Sequence, residues 1–205
     1  WSSDVCSSDL CVASPCCTLQ GSAVNQDGKS ASFMAPNGPS QEAVIASALA
    51  DGGVTTVEVR CIEAHGTGTA LGDPIEVGAL QTVLRAGSAV TVGAIKSQMA
   101  HSEGGAGMAG LMKVVETLQK QWSSHSLQLQ QCNPKFDLEG TSWLLGSQTS
   151  SEAQTSMLWM GVSSFGYSGT NGHAVLQCGG FDCLRAMTAT RSKARNHHSS
   201  FGWWL

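Results

Sequence analysis

Two short blocks of this sequence carry residue types that can do chemistry. The first is His65-Gly66-Thr67-Gly68-Thr69, an imidazole and two hydroxyls in a glycine-rich turn. The second is Lys96-Ser97-Gln98-Met99-Ala100-His101-Ser102-Glu103. Each follows an apolar run, so each histidine stands just beyond the end of a strand. A rigid strand aims the imidazole, and loops held on such a scaffold are where binding and catalysis concentrate. A cation near an imidazole disfavours its protonation, so Lys96 would keep both rings neutral and able to donate an N–H. Glu103 could pair with Lys96, or serve the helix start that follows it.

The elements around these blocks explain how they would be positioned. Val57, Val59 and Cys61 alternate with Glu58 and Arg60, the pattern of a strand running into His65. Beyond the turn, Asp73 can cap a helix, Pro74 suits its first position, and Glu76 completes a capping box. Ile75, Ala79, Val83 and Leu84 give that helix its apolar side, and Gly87 ends it. Val90–Ile95 is apolar on both faces and reads as a buried strand. After His101 a helix carries Met108, Leu111, Met112, Val115 and Leu118 at a 3.6 period. Its first turns are glycine and alanine, which costs helix propensity and implies a very close neighbour.

Upstream, an extended run from Gly21 ends at the Asp27-Gly28 turn signal. The Ala35–Pro39 loop opens a helix with the face Val44, Ile45, Ala48 and Leu49, closed by Gly52-Gly53. Residues 122–156 are polar, with a loop at Asn133-Pro134. Met157–Val162 is apolar, the segment 163–173 is rich in small residues, and Ala174–Leu176 gives a last strand. Alternating strands and helices predict an α/β domain with a largely parallel sheet.

The 205 residues allow one domain or part of a larger one. An apolar share of 41% supports a core, while a charged share of 13% suggests faces buried against something else. Net charge is −4 with no basic block, which argues against nucleic acid. No apolar run could span a bilayer, and no signal peptide is visible. The eight cysteines lack paired Cys-x-x-Cys spacing, so no structural zinc or other metal is expected. Cys61 in a buried strand reads as a small hydrophobe in a reducing, intracellular compartment. Residues 1–20 show no sustained period and are expected to lie outside the domain. The domain is expected over 21–178, with an unstructured tail over 179–205.

Four blocks together resemble the β-ketoacyl synthases, above all those of modular polyketide synthases. They are Gly-Ser-Ala-Val-Asn-Gln-Asp-Gly (21–28) with Ala-Pro-Asn-Gly-Pro (35–39), the His65 turn, the Lys96…His101 block, and Phe-Gly-Tyr-Ser-Gly-Thr-Asn (165–171). They follow the family order and match the carboxyl-terminal half of its catalytic domain. The resemblance implies one half of a thiolase-like α-β-α-β-α fold with a five-stranded mixed sheet. It implies a decarboxylative Claisen condensation in polyketide or fatty-acid assembly. His65 and His101 would face the malonyl thioester oxygen, with Lys96 beside them. Thr67 and Thr69 would hold the pantetheine arm of an acyl carrier protein, and the Tyr167 backbone would supply one oxyanion-hole N–H. No cofactor is implied. The implied partners are the carrier protein, the amino-terminal half, and a second copy in a homodimer.

The chain departs from the family in places. Tyr167 stands where phenylalanine is common. Gln98-Met99-Ala100 replaces Asn-Ile-Gly, and Ala100 lacks the glycine's access to positive φ. Gly104-Gly105 replaces Ala-Ala. Val5-Cys6-Ser7-Ser8-Asp9-Leu10 resembles the family's nucleophile turn, but Cys6 lies too close in sequence to His65 for that role. Two other readings stay open. Gly105–Gly110 fits a dinucleotide fingerprint by letter, though it lies inside a helix pattern. The chain could also be a truncated half serving only structure or dimerisation.

Overall fold

The computed structural model describes residues 17–29, 35–84, 89–120, 126, 129, 132–139, 141–145 and 159–178. Cys6, Gly87 and the tail from Gly179 lie outside the described residues. The chain runs β1 (Cys17–Gln26), α1 (Gly38–Asp51), β2 (Val59–Glu63), α2 (Gly72–Leu84), β3 (Thr91–Gly93), α3 (Lys96–Met99), α4 (Ala106–Lys120), β4 (Leu144–Leu145), β5 (Trp159–Phe165) and β6 (Thr170–Cys178). A single 3-10 turn, Glu103–Gly105, leads into α4.

The strands form one mixed sheet in the order β1-β6-β5-β2-β3-β4. β5, β2, β3 and β4 are parallel neighbours, while β6 is antiparallel to both β5 and β1. The five strands of three or more residues make the expected sheet. β4 adds a two-residue edge that no periodicity in 122–156 announces. β1 begins at Cys17, opposite Cys178, so Cys17–Gln20 belong to the sheet and not to the leading stretch assigned outside the domain. β2 begins at Val59; Val57, expected within it, sits exposed in the preceding turn.

The parallel strands put side chains on both faces of the sheet, and each face has its own helices. On one side Ile62 and Val175 pack with Val44, Ile45, Ala48 and Leu49 of α1 and Leu80 of α2. On the other, Cys61, Met160, Val162 and Leu176 pack with Val114 and Leu118 of α4. α1 follows its sequence signals closely. Asn37 caps it, its side chain accepting the Ser40 N–H at 3.3 Å, and Gly52 closes it. α2 is rotated from the expected face: Val77 and Leu80 are buried, while Ile75 and Val83 are only half-buried.

The small residues of α4 do meet a close neighbour. A Cβ on Gly107 would lie 2.9 Å from the Ser164 hydroxyl, and one on Gly110 would lie 3.3 Å from Val162. The apolar stripe of α4 divides between two directions. Val114 and Leu118 are buried, but Met108 and Met112 are 61% and 66% exposed. Among the described residues, no helix is long and apolar enough to cross a membrane.

Candidate active site

His65 leaves the end of β2 and is fixed through its backbone. Its N–H donates to Glu76 Oε1 at 2.7 Å, and the Gly66 N–H donates to Glu76 Oε2 at 2.9 Å. Glu76 is therefore no partner in a capping box. Its buried carboxylate reaches from α2 and grips the histidine turn. Burial pushes its pKa up to about 7, against the pull of those two N–H donors. Gly66 has φ +48°, and a Cβ there would come within 2.6 Å of Ala94. The turn thus packs against the end of β3, where the Ala64 N–H bonds the Gly93 carbonyl at 2.8 Å.

Asp73 turns back in the same way, accepting the Gly68 N–H at 3.1 Å. The Thr69 hydroxyl accepts the Gly72 N–H at 3.0 Å, so Thr69 supplies the cap expected of Asp73. Thr67 Oγ1 lies 3.4 Å from Thr69 Oγ1.

The second block arrives from β3 through α3. The rings of His65 and His101 stand edge to face, with centroids 5.6 Å apart and planes at 88°. The Phe165 ring lies 5.7 Å from His65, tilted at 53°. His65 is held far from protonation, at a pKa of about 4, by burial first, then by Lys96 and by His101. Its Nδ1 is buried without a hydrogen-bond partner among the described residues. A buried polar atom left in that state needs an explanation, and catalytic duty is one. His101 Nδ1 accepts the Glu103 N–H at 3.2 Å, so a neutral His101 carries its proton on Nε2, facing away from that bond.

Lys96 lies among carboxylates. Burial lowers its pKa, and Glu76, Glu63 and Asp73 oppose that shift. Glu103 is not its partner: it is exposed, and its backbone serves His101. Among the described residues the ion pair that forms is instead Lys113–Glu63 at 2.6 Å. Ala100, which precedes His101, takes φ +63° and ψ −177°. The expectation that alanine would not reach positive φ is overturned; the chain accepts the strain.

The segment 165–171 forms the tight connection between β5 and β6. The Gly166 N–H bonds the Thr170 carbonyl at 2.6 Å, and Tyr167 sits at the exposed tip. The buried Asn171 amide donates to Asp27 Oδ1 at 2.7 Å and to Asn25 Oδ1 at 3.1 Å. Asn37 Nδ2 donates to the Asp27 carbonyl at 2.6 Å. These bonds tie the connection between β1 and α1 to the start of β6, beside the Phe165 turn.

A cavity of about 460 Å³ opens beside the two blocks, and Thr67, Asp73, Glu76, Lys96 and His101 are among its lining residues. Thr69, expected with Thr67 as a substrate contact, is not among them. The Gly105–Gly110 run is no phosphate cradle, because Gly107 and Gly110 are spent on packing against β5. Among the described residues, no cluster of three His, Cys, Asp or Glu could hold a metal ion.

Residues 16–130 match the model of the β-ketoacyl synthase carboxyl-terminal domain. The chain belongs to the β-ketoacyl synthase family. It is 44% identical over 162 residues to erythronolide synthase EryA2 of Saccharopolyspora erythraea, covering 78% of this chain and 4% of that protein. It is 41% identical over 163 residues to mycoketide-CoA synthase of Mycobacterium tuberculosis, covering 77% of this chain and 4% of that one. Among solved structures, a Streptomyces albus oxazolomycin ketosynthase domain, OzmH KS8, superposes with a TM-score of 0.71 at 34% identity, over 80% of this chain and 45% of the other. The ketosynthase from module 1 of the bacillaene synthase of Bacillus amyloliquefaciens superposes with a TM-score of 0.73 at 35% identity, over 78% and 30%. This ketosynthase chain therefore has the carboxyl-terminal part of the thiolase-like fold and spans less than half of those solved domains.

Of the residues singled out in sequence, His65 and His101 stand ring to ring, and Lys96 lies near enough to act on His65. Sequence reasoning missed Glu76, Glu63 and Lys113. A buried charge has no sequence signature of its own; the available hint was that Glu76 falls one turn before the buried Leu80.

Proposed function

We propose that this chain supplies the malonyl side of a decarboxylative condensing site in polyketide or fatty-acid assembly. The observation that carries the reading is the pair His65 and His101, edge to face at 5.6 Å, with His65 kept neutral. When a malonyl thioester loses carbon dioxide, the C–C bonding pair moves onto the thioester carbonyl as an enolate. Neutral N–H donors aimed at that oxygen stabilise the charge as it forms. The enolate carbon then attacks an acyl thioester held on a cysteine, and the cysteine leaves as thiolate. That cysteine belongs to the amino-terminal half of the domain.

The malonyl group would arrive on the phosphopantetheine arm of an acyl carrier protein. The cavity beside Thr67 and His101 suits the arm. Thr69 has a weaker claim, since its hydroxyl already serves Gly72. The Tyr167 backbone would complete the oxyanion hole for the acyl thioester. The partners in this reading are the carrier protein, the amino-terminal half, and a second copy in a dimer. The compartment in this reading is reducing and intracellular, where Cys61 serves as a small buried hydrophobe.

By itself the chain would hold half of the centre and would not condense. The test is to join it to the amino-terminal half of a homologous ketosynthase and measure carbon dioxide release from malonyl carrier protein. The joined domain should release it and the chain alone should not. A joined, folded domain that accepts an acyl group but never decarboxylates malonyl would refute the reading.

A further inference from the structure

We propose that Glu63 and Lys113 form a positioning pair that sets the His65 loop against the Lys96–His101 loop. This rests on the condensing reading of the site above. Neither residue would touch substrate.

Glu63 ends β2 and precedes His65 by a single intervening residue, Ala64. It is 3% exposed. Its two oxygens serve two different segments. Oε1 accepts the N–H of Ile95, the residue immediately before Lys96, at 2.5 Å. Oε2 accepts from Lys113 Nζ of α4 at 2.6 Å, and that side chain is 9% exposed. One carboxylate therefore ties together the strand that leads into His65, the turn that starts at Lys96, and the helix that follows His101. α4 runs close by at Gly110, where a Cβ would lie 3.4 Å from Glu63 Cγ, an ordinary van der Waals contact.

An isolated buried charge is strongly unfavourable, and a buried pair seldom adds net stability over apolar packing. Stability alone is thus a poor reason for this pair. Its bonding pattern supplies another. Glu63 cannot hold the Ile95 N–H in place unless its own position is fixed, and Lys113 fixes it from the opposite side. Releasing Lys113 frees the carboxylate, loosens Ile95, and shifts Lys96 and His101 relative to His65.

The test uses the complete domain, with this chain joined to the amino-terminal half of a homologous ketosynthase. The variants are Lys113→Met, Lys113→Arg and Glu63→Gln. Two quantities are read in each: malonyl decarboxylation beside acyl transfer to the cysteine, and the ring resonances of His65, His101 and His173. Misplacing reacting groups by about 1 Å can cost on the order of a hundredfold. Lys113→Met should therefore lower decarboxylation roughly tenfold to a hundredfold, with KM for malonyl carrier protein and acyl transfer near the parent values. His65 and His101 resonances should shift while those of His173, buried on β6 against Ser163, stay. Lys113→Arg should restore both readouts, and Glu63→Gln should behave as Lys113→Met.

Parallel loss of both half-reactions, with His173 shifting too, would make the pair merely structural and overturn the proposal. So would unmoved His65 and His101 resonances, or failure of both Lys113→Met and Glu63→Gln to fold. A parent domain that releases no carbon dioxide would refute the condensing reading, whereas the resonances would still decide the positioning pair.

Discussion

The backbone N–H of His65 is held by the carboxylate of Glu76 at 2.7 Å, across the turn that separates β2 from α2. Because the second oxygen takes the Gly66 N–H, the turn has little freedom to rotate the imidazole. The position of the ring is thus set from a helix, while its rigidity comes from the strand.

Glu76→Gln tests that grip. An amide has one acceptor oxygen, so one of the two buried N–H groups loses its partner, at a cost of about 1–3 kcal/mol. The complete domain should melt lower and decarboxylate malonyl more slowly. A variant that matches the parent in both would show that the carboxylate does not hold the turn.

Lys96→Ala tests the electrostatics of His65. The nearby cation lowers the histidine's pKa, though burial lowers it more. Removing the cation should raise that pKa part of the way back toward 6.5. The acidic limb of the decarboxylation profile should then move to higher pH, because the ring protonates earlier as pH falls. An unmoved limb would mean that Lys96 acts on substrate alone.

Ala100→Gly should stabilise the domain. Alanine at φ +63° and ψ −177° occupies a region that belongs to glycine, at a cost of about 1–3 kcal/mol. Glycine returns roughly 0.4–1 kcal/mol of that through its freer unfolded chain. The net gain should be about 1 kcal/mol, read as a higher melting temperature. A lower one would show that the strain is relieved in solution.

His173 gives stability a pH dependence of its own. Its ring projects from β6 and is buried, bonded to Ser163 of β5 at 3.0 Å, and burial lowers its pKa to about 4 from 6.5. Between those values the unfolded chain binds a proton that the native state refuses, so this contribution falls as pH drops from 6.5 toward 4. By pH 4 the loss amounts to about 3 kcal/mol. His173→Asn should lose less stability than the parent over the same window in pH-dependent denaturant melts. Equal losses would place the acid sensitivity elsewhere.

The blocks around His65 and His101 were legible because glycine, proline and capping residues punctuate strand ends in a way that pattern alone reveals. α1 was legible for the same reason, from Pro39 through Gly52, though the cap at Asn37 was not. Glu76, Glu63 and Lys113 were not, because a charge looks the same in sequence whether it faces water or a backbone N–H from a distant element. The 3.6 period of α4 showed apolar positions but not that Met108 and Met112 face away from Val114 and Leu118. β4 is two residues long and leaves no period to read.

The most direct test of the site is decarboxylation of malonyl carrier protein by the complete domain carrying His65→Ala or His101→Ala. Both imidazoles are assigned to the malonyl oxygen, and losing one such donor typically costs about a hundredfold to a thousandfold in rate. Each variant should lose carbon dioxide release by that order while still accepting an acyl group on the cysteine. Release at the parent rate from both variants would contradict the account.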